Sequence, residues 1–264
     1  FNFGELKIML GLAYSLPHFS LPAYRHPKYH SAFPATKYGI KPYYQDAQVT
    51  IFHGDCREIL PRIDAVDLVI ADPPYVFGLA STCNEGKFGS WGDLMNNSYV
   101  YAAWLNEFQR LTAQTNGAVW MFNSWRSFPV LARSAMEVGW PITSLLVWDK
   151  MVFGAGPKRG LRPSYELAAL FVQEEFQIKN RSLRDVWQEK WATTKPTGHA
   201  AEKPVALVKK LIQESGGELI LDPFVGSGTT LVAAKELGKR AIGIEIEEKY
   251  CELAARRAAG EQVK

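Results

Sequence analysis

Asp72-Pro73-Pro74-Tyr75 is a tetrapeptide whose residue types can hold a weakly nucleophilic amine for reaction. The exocyclic amine of a nucleobase has its lone pair delocalised into the ring. Its nitrogen attacks only once hydrogen-bond acceptors draw it toward tetrahedral geometry. Asp72 can accept one N–H and the carbonyl of Pro73 the other. The two prolines fix φ at about −65° and donate nothing, which stiffens that pair of acceptors. Tyr75 offers a flat face on which a base can stack, a contact worth about 1–3 kcal/mol in single-strand binders. Taken alone, the tetrapeptide reads equally well as a rigid turn after a strand.

A second constellation lies much further along, at Asp222-Pro223-Phe224-Val225-Gly226-Ser227-Gly228-Thr229-Thr230. Glycines before a helix let the backbone turn tightly and aim N–H groups at an electronegative ligand. Glu245 ends the next apolar run, where a Rossmann-like unit places the carboxylate that accepts from ribose hydroxyls. A dinucleotide fingerprint would need glycine at 231, where this chain has Leu231, and no Gly-Lys-Ser/Thr closes a phosphate loop. The pattern therefore suits a nucleoside cofactor rather than a dinucleotide or a nucleoside triphosphate.

Each motif needs a strand to deliver it. Apolar runs at 49–52, 66–71, 117–122, 144–148, 166–172, 219–221 and 240–245 predict strands. Helical spacing predicts helices at 99–112, 129–138, 202–213, 229–237 and 247–258. The alternation predicts an α/β fold: a mainly parallel sheet with helices on both faces and an antiparallel hairpin at one edge. Residues 1–46, interrupted by prolines, read as an extended or partly disordered arm, and 47–264 as the domain. The glycine-rich stretch 76–98 reads as a loop closing over a target, or as a plain surface loop.

Together the two motifs resemble the amino-group DNA methyltransferases that use S-adenosylmethionine. The order, Asp-Pro-Pro-Tyr before the glycine loop, resembles the permuted β class; the likeness spans about 49–258 and implies that 49–52 pairs in parallel with 240–245 and that 219–221 lies beside 66–71. It implies a Rossmann-like methyltransferase sheet with Asp72, Pro73, Pro74 and Tyr75 as the catalytic set. It implies a cofactor site of Asp222, Pro223, Phe224, Gly226, Ser227, Gly228, Thr229, Thr230 and Glu245, with Asp72 alongside. Asp222 would face the methionine portion and Glu245 the ribose. Asp55 and Cys56 would lie near the adenine ring, and the 199–204 segment, with His199 and Lys203, would cover the methionine end. S-adenosylmethionine has no pyrophosphate, so a looser glycine loop suffices. For Asp55 a plain turn role is the alternative.

The resemblance implies DNA as partner, with the target base flipped from a duplex or already single-stranded, as in restriction–modification. Aspartate at position 72 favours adenine N6. Cytosine N4 is the alternative, and an inactive nucleic-acid binder of the same fold a weaker one. A short recognition region falls within 151–198, where Lys158, Arg159 and Arg162 suit phosphate contact and Arg181 and Arg184 follow. Trp187 and Trp191 could equally be core staples.

The 264-residue chain carries a net charge of +3 and a pI near 8.6, which permits a polyanionic partner without demanding one. Cys56, Cys83 and Cys251 are scattered and odd in number, against a disulfide framework or a four-cysteine zinc site. No metal is expected. No apolar run reaches the ~18 residues that span a bilayer, so a cytoplasmic setting, bacterial or phage-like, is expected. Oligomeric state is not legible, and a dimer is allowed.

Overall fold

The computed structural model describes residues 39–74, 98–153, 159–191, 202–261 and 263. Tyr75, Lys158 and His199 lie outside the described residues, as do nearly all of the 76–98 loop and residues 1–38 of the expected arm.

Among the described residues nine strands form one sheet. In chain order they are β1 (Tyr44–Gln45), β2 (Val49–His53), β3 (Leu68–Ala71), β4 (Ala118–Asn123), β5 (Ser144–Asp149), β6 (Tyr165–Val172), β7 (Val186–Gln188), β8 (Leu219–Asp222) and β9 (Arg240–Glu245). Their spatial order is β1-β2-β9-β8-β3-β4-β6-β5-β7. Strands β2, β9, β8, β3 and β4 are mutually parallel, and β6 runs against both β4 and β5. The expected pairings of 49–52 with 240–245 and of 219–221 with 66–71 are both present, in parallel. The β5–β6 hairpin is antiparallel as expected, but it does not end the sheet: β7 pairs beyond it in parallel with β5. The other edge also extends further than expected, because Tyr44–Gln45 pairs antiparallel with β2 and Tyr43 is buried. The sheet thus begins inside the segment read as an arm.

Among the described residues six α-helices cover the sheet: α1 (Cys56–Ile59), α2 (Ser98–Ala113), α3 (Phe128–Glu137), α4 (Val205–Ser215), α5 (Thr229–Glu236) and α6 (Glu248–Ala258). Strands β3 and β4 are buried at every position, as continuous apolar runs covered on both sides must be. Alternation splits their side chains between two cores. Leu68, Ile70, Trp120 and Phe122 pack in one core with Leu207 and Leu211 of α4 and Ala254 of α6. Val69, Ala71, Val119 and Met121 pack in the other with Trp104 and Phe108 of α2 and Leu131 of α3. Each helix turns one apolar stripe inward, which its spacing dictates.

The sheet reverses its winding between β3 and β8. From β8 the chain passes through α5 to β9 on one side; from β3 it passes through α2 to β4 on the other. Only Leu68↔Ile220 and Val69↔Leu221 pair across this seam. Asp67 fastens its lower end by accepting from the N–H groups of Glu218 and Leu219 at 2.7 and 2.9 Å. Above Val69 and Leu221 no further pair joins the two strands among the described residues, and Asp72 and Asp222 sit on either side of that opening.

Candidate active site

Open α/β sheets bind ligands at such a reversal, beyond the carboxyl ends of the strands. Both motifs arrive there because each ends a strand that is buried as it approaches the seam, in a register that leaves little choice of exit. Asp72 follows Ala71 of β3, and Asp222 closes β8.

On the β8 side, Gly226 and Gly228 adopt φ of 51° and 86°, in the left-handed region. Gly228 caps α5, and a Cβ there would lie 2.9 Å from Ala254 Cα of α6, so the loop closes against α6 only with glycine. The Gly226 N–H donates to Glu245 Oε2 and the Glu247 N–H to Oε1, both at 2.8 Å. Burial raises the Glu245 pKa, while those N–H groups oppose the shift. Burial pushes Asp222 up to about 7 against the Thr230 hydroxyl and the Phe224 N–H, which donate to it. Buried carboxylates held short of full compensation favour a cationic or hydroxyl-bearing ligand. A cramped glycine turn between two such carboxylates has the chemistry that a ligand carrying both a cationic group and hydroxyls requires. Thr229, Thr230 and Ser227 are themselves buried. Phe224 is half-buried and meets Trp104 edge-on with ring centroids 4.9 Å apart.

Beyond the loop, Arg257 of α6 donates to the Ser227 carbonyl at 2.8 Å and pairs with Glu202 at 2.9 Å. It ties the glycine turn to the segment before α4, a link with no local signal in sequence. His53 and Glu245 are register partners, so Asp55, two residues past His53, comes to the same end of the sheet as Glu245. Asp55 caps α1 by accepting from the Arg57 N–H at 2.9 Å and pairs with the Arg57 guanidinium. Cys56 is buried, and burial pushes its thiol up to about 12, so it packs rather than reacts.

On the β3 side, Lys203 from the segment before α4 meets the Asp-Pro-Pro-Tyr motif. Its Nζ donates to Asp72 Oδ2 at 2.5 Å and lies 3.1 Å from Glu166 Oε2 and 4.9 Å from the Phe122 ring centroid. Glu166 of β6 also pairs with Lys150, whose Nζ lies over the rings of Trp148 and Trp191. Burial alone would lower the Lys203 pKa, but Asp72 and Glu166 overcome it and hold the ammonium charged. Burial likewise opposes ionisation of Glu166, and the two lysines reverse that. Neither Glu166 nor Lys150 was legible as a site residue, because the pairing depends on β6 lying next to β4. Tyr101 stands nearby: burial first, and Asp72 after it, raise its phenol to about 12, and Asn123 donates to its oxygen at 3.3 Å.

The basic residues separate into two groups. Arg159 and Arg162 are exposed on the β5–β6 connection, at the same end of the sheet as Asp72, and Arg162 lies over the Phe153 ring at 5.0 Å. Arg181 and Arg184 do not come to the site. They line a cavity of about 480 Å³ with Ser144, at the start of β5, and Val172, at the end of β6. That is the opposite end of the sheet, because the hairpin between β4 and β7 turns these segments away. Trp187 is core, tilted against Trp120 at 6.4 Å. Among the described residues no cluster of three His, Cys, Asp or Glu could hold a metal, and no helix is long and apolar enough to cross a membrane.

A glycine turn between two buried carboxylates at the winding reversal, with Asp72 across the seam, is the arrangement of a Rossmann-like methyltransferase. The chain belongs to the N6/N4 DNA methylase family, which it matches over residues 66–256. It is an S-adenosylmethionine-dependent amino-group DNA methyltransferase. It is 28% identical to the type II methyltransferase M2.LlaDCHI of Lactococcus lactis subsp. cremoris, over 84% of this chain and 94% of that protein. It is 29% identical to M2.DpnII of Streptococcus pneumoniae, over 85% and 96%. Among solved structures, the M1.HpyAVI complex with S-adenosylmethionine superposes with a TM-score of 0.59 at 26% identity, covering 79% of this chain and 99% of that one.

Proposed function

We propose that this enzyme methylates the N6 amine of adenine in DNA, with Asp72 and the Pro73 carbonyl accepting the two amine hydrogens. The observation that carries this reading is the position of Asp72, anchored by Lys203 across the seam from Asp222. A carboxylate offers about four lone-pair sites, so the Lys203 bond is compatible with a second bond to the amine. S-adenosylmethionine supplies the methyl group from a sulfonium centre. The protein aligns the amine with it and excludes water, and alignment of this kind can account for much of a rate enhancement. Adenine is favoured over cytosine because position 72 is aspartate.

Asp222, the 226–230 turn and Glu245 hold the cofactor in this reading, with Asp55 at its adenine end. Asp72 sits below the rim of the sheet, with its side chain about a quarter exposed. A base stacked in a duplex cannot reach it, so the target is flipped out or presented single-stranded. The rim is suited to nucleic acid: Trp125, Phe153 and Leu161 are exposed beside Arg126, Arg159 and Arg162. Arginines there supply affinity through phosphates, while aromatic faces accept bases. DNA as substrate places the enzyme in an intracellular compartment.

The test is incubation with S-adenosylmethionine and duplex or single-stranded DNA, followed by nucleoside digestion. N6-methyladenine is expected. N4-methylcytosine alone would overturn the adenine assignment, and no methylated nucleoside in either DNA would overturn the function.

A further inference from the structure

We infer that Glu166, acting through Lys203, is a positioning residue for Asp72, and that it links the β5–β6 hairpin to the catalytic carboxylate. The inference rests on the methyl-transfer reading above. The chain of contacts is continuous: Lys150 pairs with Glu166, Glu166 lies 3.1 Å from Lys203, and Lys203 donates to Asp72 at 2.5 Å. Three of its four members come from outside the motif: just after β5, on β6 and in the segment before α4.

Each link is confined. Lys203 is 8% exposed and rests over Phe122, so its ammonium cannot swing away without leaving the core. Among the described residues, Glu166 Oε2 is buried without a hydrogen-bond partner, although Lys203 Nζ is near. Glu166 holds the Lys203 ammonium by its charge at 3.1 Å while the same ammonium donates to Asp72, so both carboxylates fix where it sits. A carboxylate gripped by a charge-assisted donor is restricted in rotamer, so its opposite oxygen faces a defined direction.

The placement of Glu166 gives the chain a second role. Glu166 is the second residue of β6, paired in register with Trp148, and Lys150 follows β5 directly, its N–H donating to the Ser164 carbonyl at 2.9 Å. Both sit at the root of the connection that carries Phe153, Leu161, Arg159 and Arg162 on the rim. A duplex pressing on that connection acts on the residues nearest to Glu166. Misplacement of a reacting group by about 1 Å can cost ~100-fold in rate, so a small shift at Asp72 is enough to matter.

The experiment compares kcat and KM for DNA, and Kd for S-adenosylmethionine, in wild type, Glu166→Gln, Glu166→Asp and Lys150→Met. Glu166→Gln keeps the shape and removes the charge. We expect kcat to fall about 10–100-fold, with KM and cofactor Kd unchanged within about twofold. Glu166→Asp should recover part of the loss, and Lys150→Met should lower kcat less than Glu166→Gln does. A purely structural role would instead lower the folded fraction, and cofactor affinity and kcat would fall together in all three variants. That pattern, or a folded Glu166→Gln enzyme with wild-type kcat, overturns the inference. A wild type that methylates no DNA would sink the underlying reading instead, so the two failures are distinguishable.

Discussion

Asp222 is the group whose titration can be read most directly, through Asp222→Asn. Burial raises its pKa from 3.8 to about 7 in the folded protein. Between those values the folded state holds a proton that the unfolded chain has released. Stability from this group is therefore full below about pH 4 and is lost as pH rises toward 7. At about 1.4 kcal/mol per unit, a shift of roughly three units sets a ceiling near 4 kcal/mol on the cost above pH 7. Relaxation of the site reduces the realised figure. Asparagine keeps an acceptor for the Phe224 N–H or the Thr230 hydroxyl and cannot ionise. The variant should therefore gain on the wild type by roughly 2 kcal/mol between pH 5 and pH 8. For a chain of this size that moves the Tm difference by about 4–8 °C. The same proton reports on the ligand. A cation beside Asp222 favours its ionised form, so S-adenosylmethionine should bind more tightly as pH rises from 6 to 8. Binding at pH 6 should release a proton, measurable by calorimetry in two buffers of different ionisation enthalpy. Asp222→Asn should bind more weakly and release none. A Tm gap that is constant or narrows with pH would refute the burial argument. Unchanged proton release in the variant would remove Asp222 from the cofactor.

Three further outcomes are expected. Asp72→Ala should lower kcat by more than about 100-fold while cofactor Kd stays within about twofold, because the lost acceptor matters to the transition state; residual turnover within tenfold of wild type, about 1.4 kcal/mol, would refute it. Gly228→Ala should cost about 2–4 kcal/mol in chemical denaturation, combining a left-handed backbone with a contact 2.9 Å from Ala254; a loss under about 0.5 kcal/mol would refute the close-approach argument. Arg162→Ala should reduce the slope of log affinity for DNA against log salt by up to about 0.9, with Arg184→Ala leaving it unchanged, and equal slopes in the two variants would contradict the separation of the basic residues.

Strands with strong apolar runs were legible because burial on both faces leaves a continuous signal. The predicted strands at 49–52, 117–122 and 240–245 match β2, β4 and β9 to within a residue at each end. The short elements were not legible. Tyr44–Gln45 and Val186–Gln188 have two and three residues, too few for a period to show, and they exist because a neighbouring edge offers free backbone groups. Helix α1 has four residues and is held by the Asp55 cap. The pairing across the seam was legible for a different reason: two motifs that must share one ligand restrict which strands can be neighbours.

Within the site, what the sequence conveyed was which groups gather at the seam, because those come in contiguous motifs. What it withheld was their support. Lys203 lies in a segment associated with the cofactor, yet its ammonium is spent on Asp72, and its other partner, Glu166, comes from a strand that no local pattern ties to the motif. Arg181 and Arg184 show the converse case. They lie in the expected recognition region, but β6 runs downward from the rim before they are reached, so proximity in sequence becomes distance in space. Both cases turn on the direction of one strand. Had β6 run parallel to β4, the residue beside Asn123 would have come from the far end of β6, and Glu166 could not have met Lys203. The antiparallel β6 is therefore the feature that brings the hairpin root to the catalytic carboxylate. It makes the anchoring of Asp72 a consequence of sheet topology rather than of the Asp-Pro-Pro-Tyr motif.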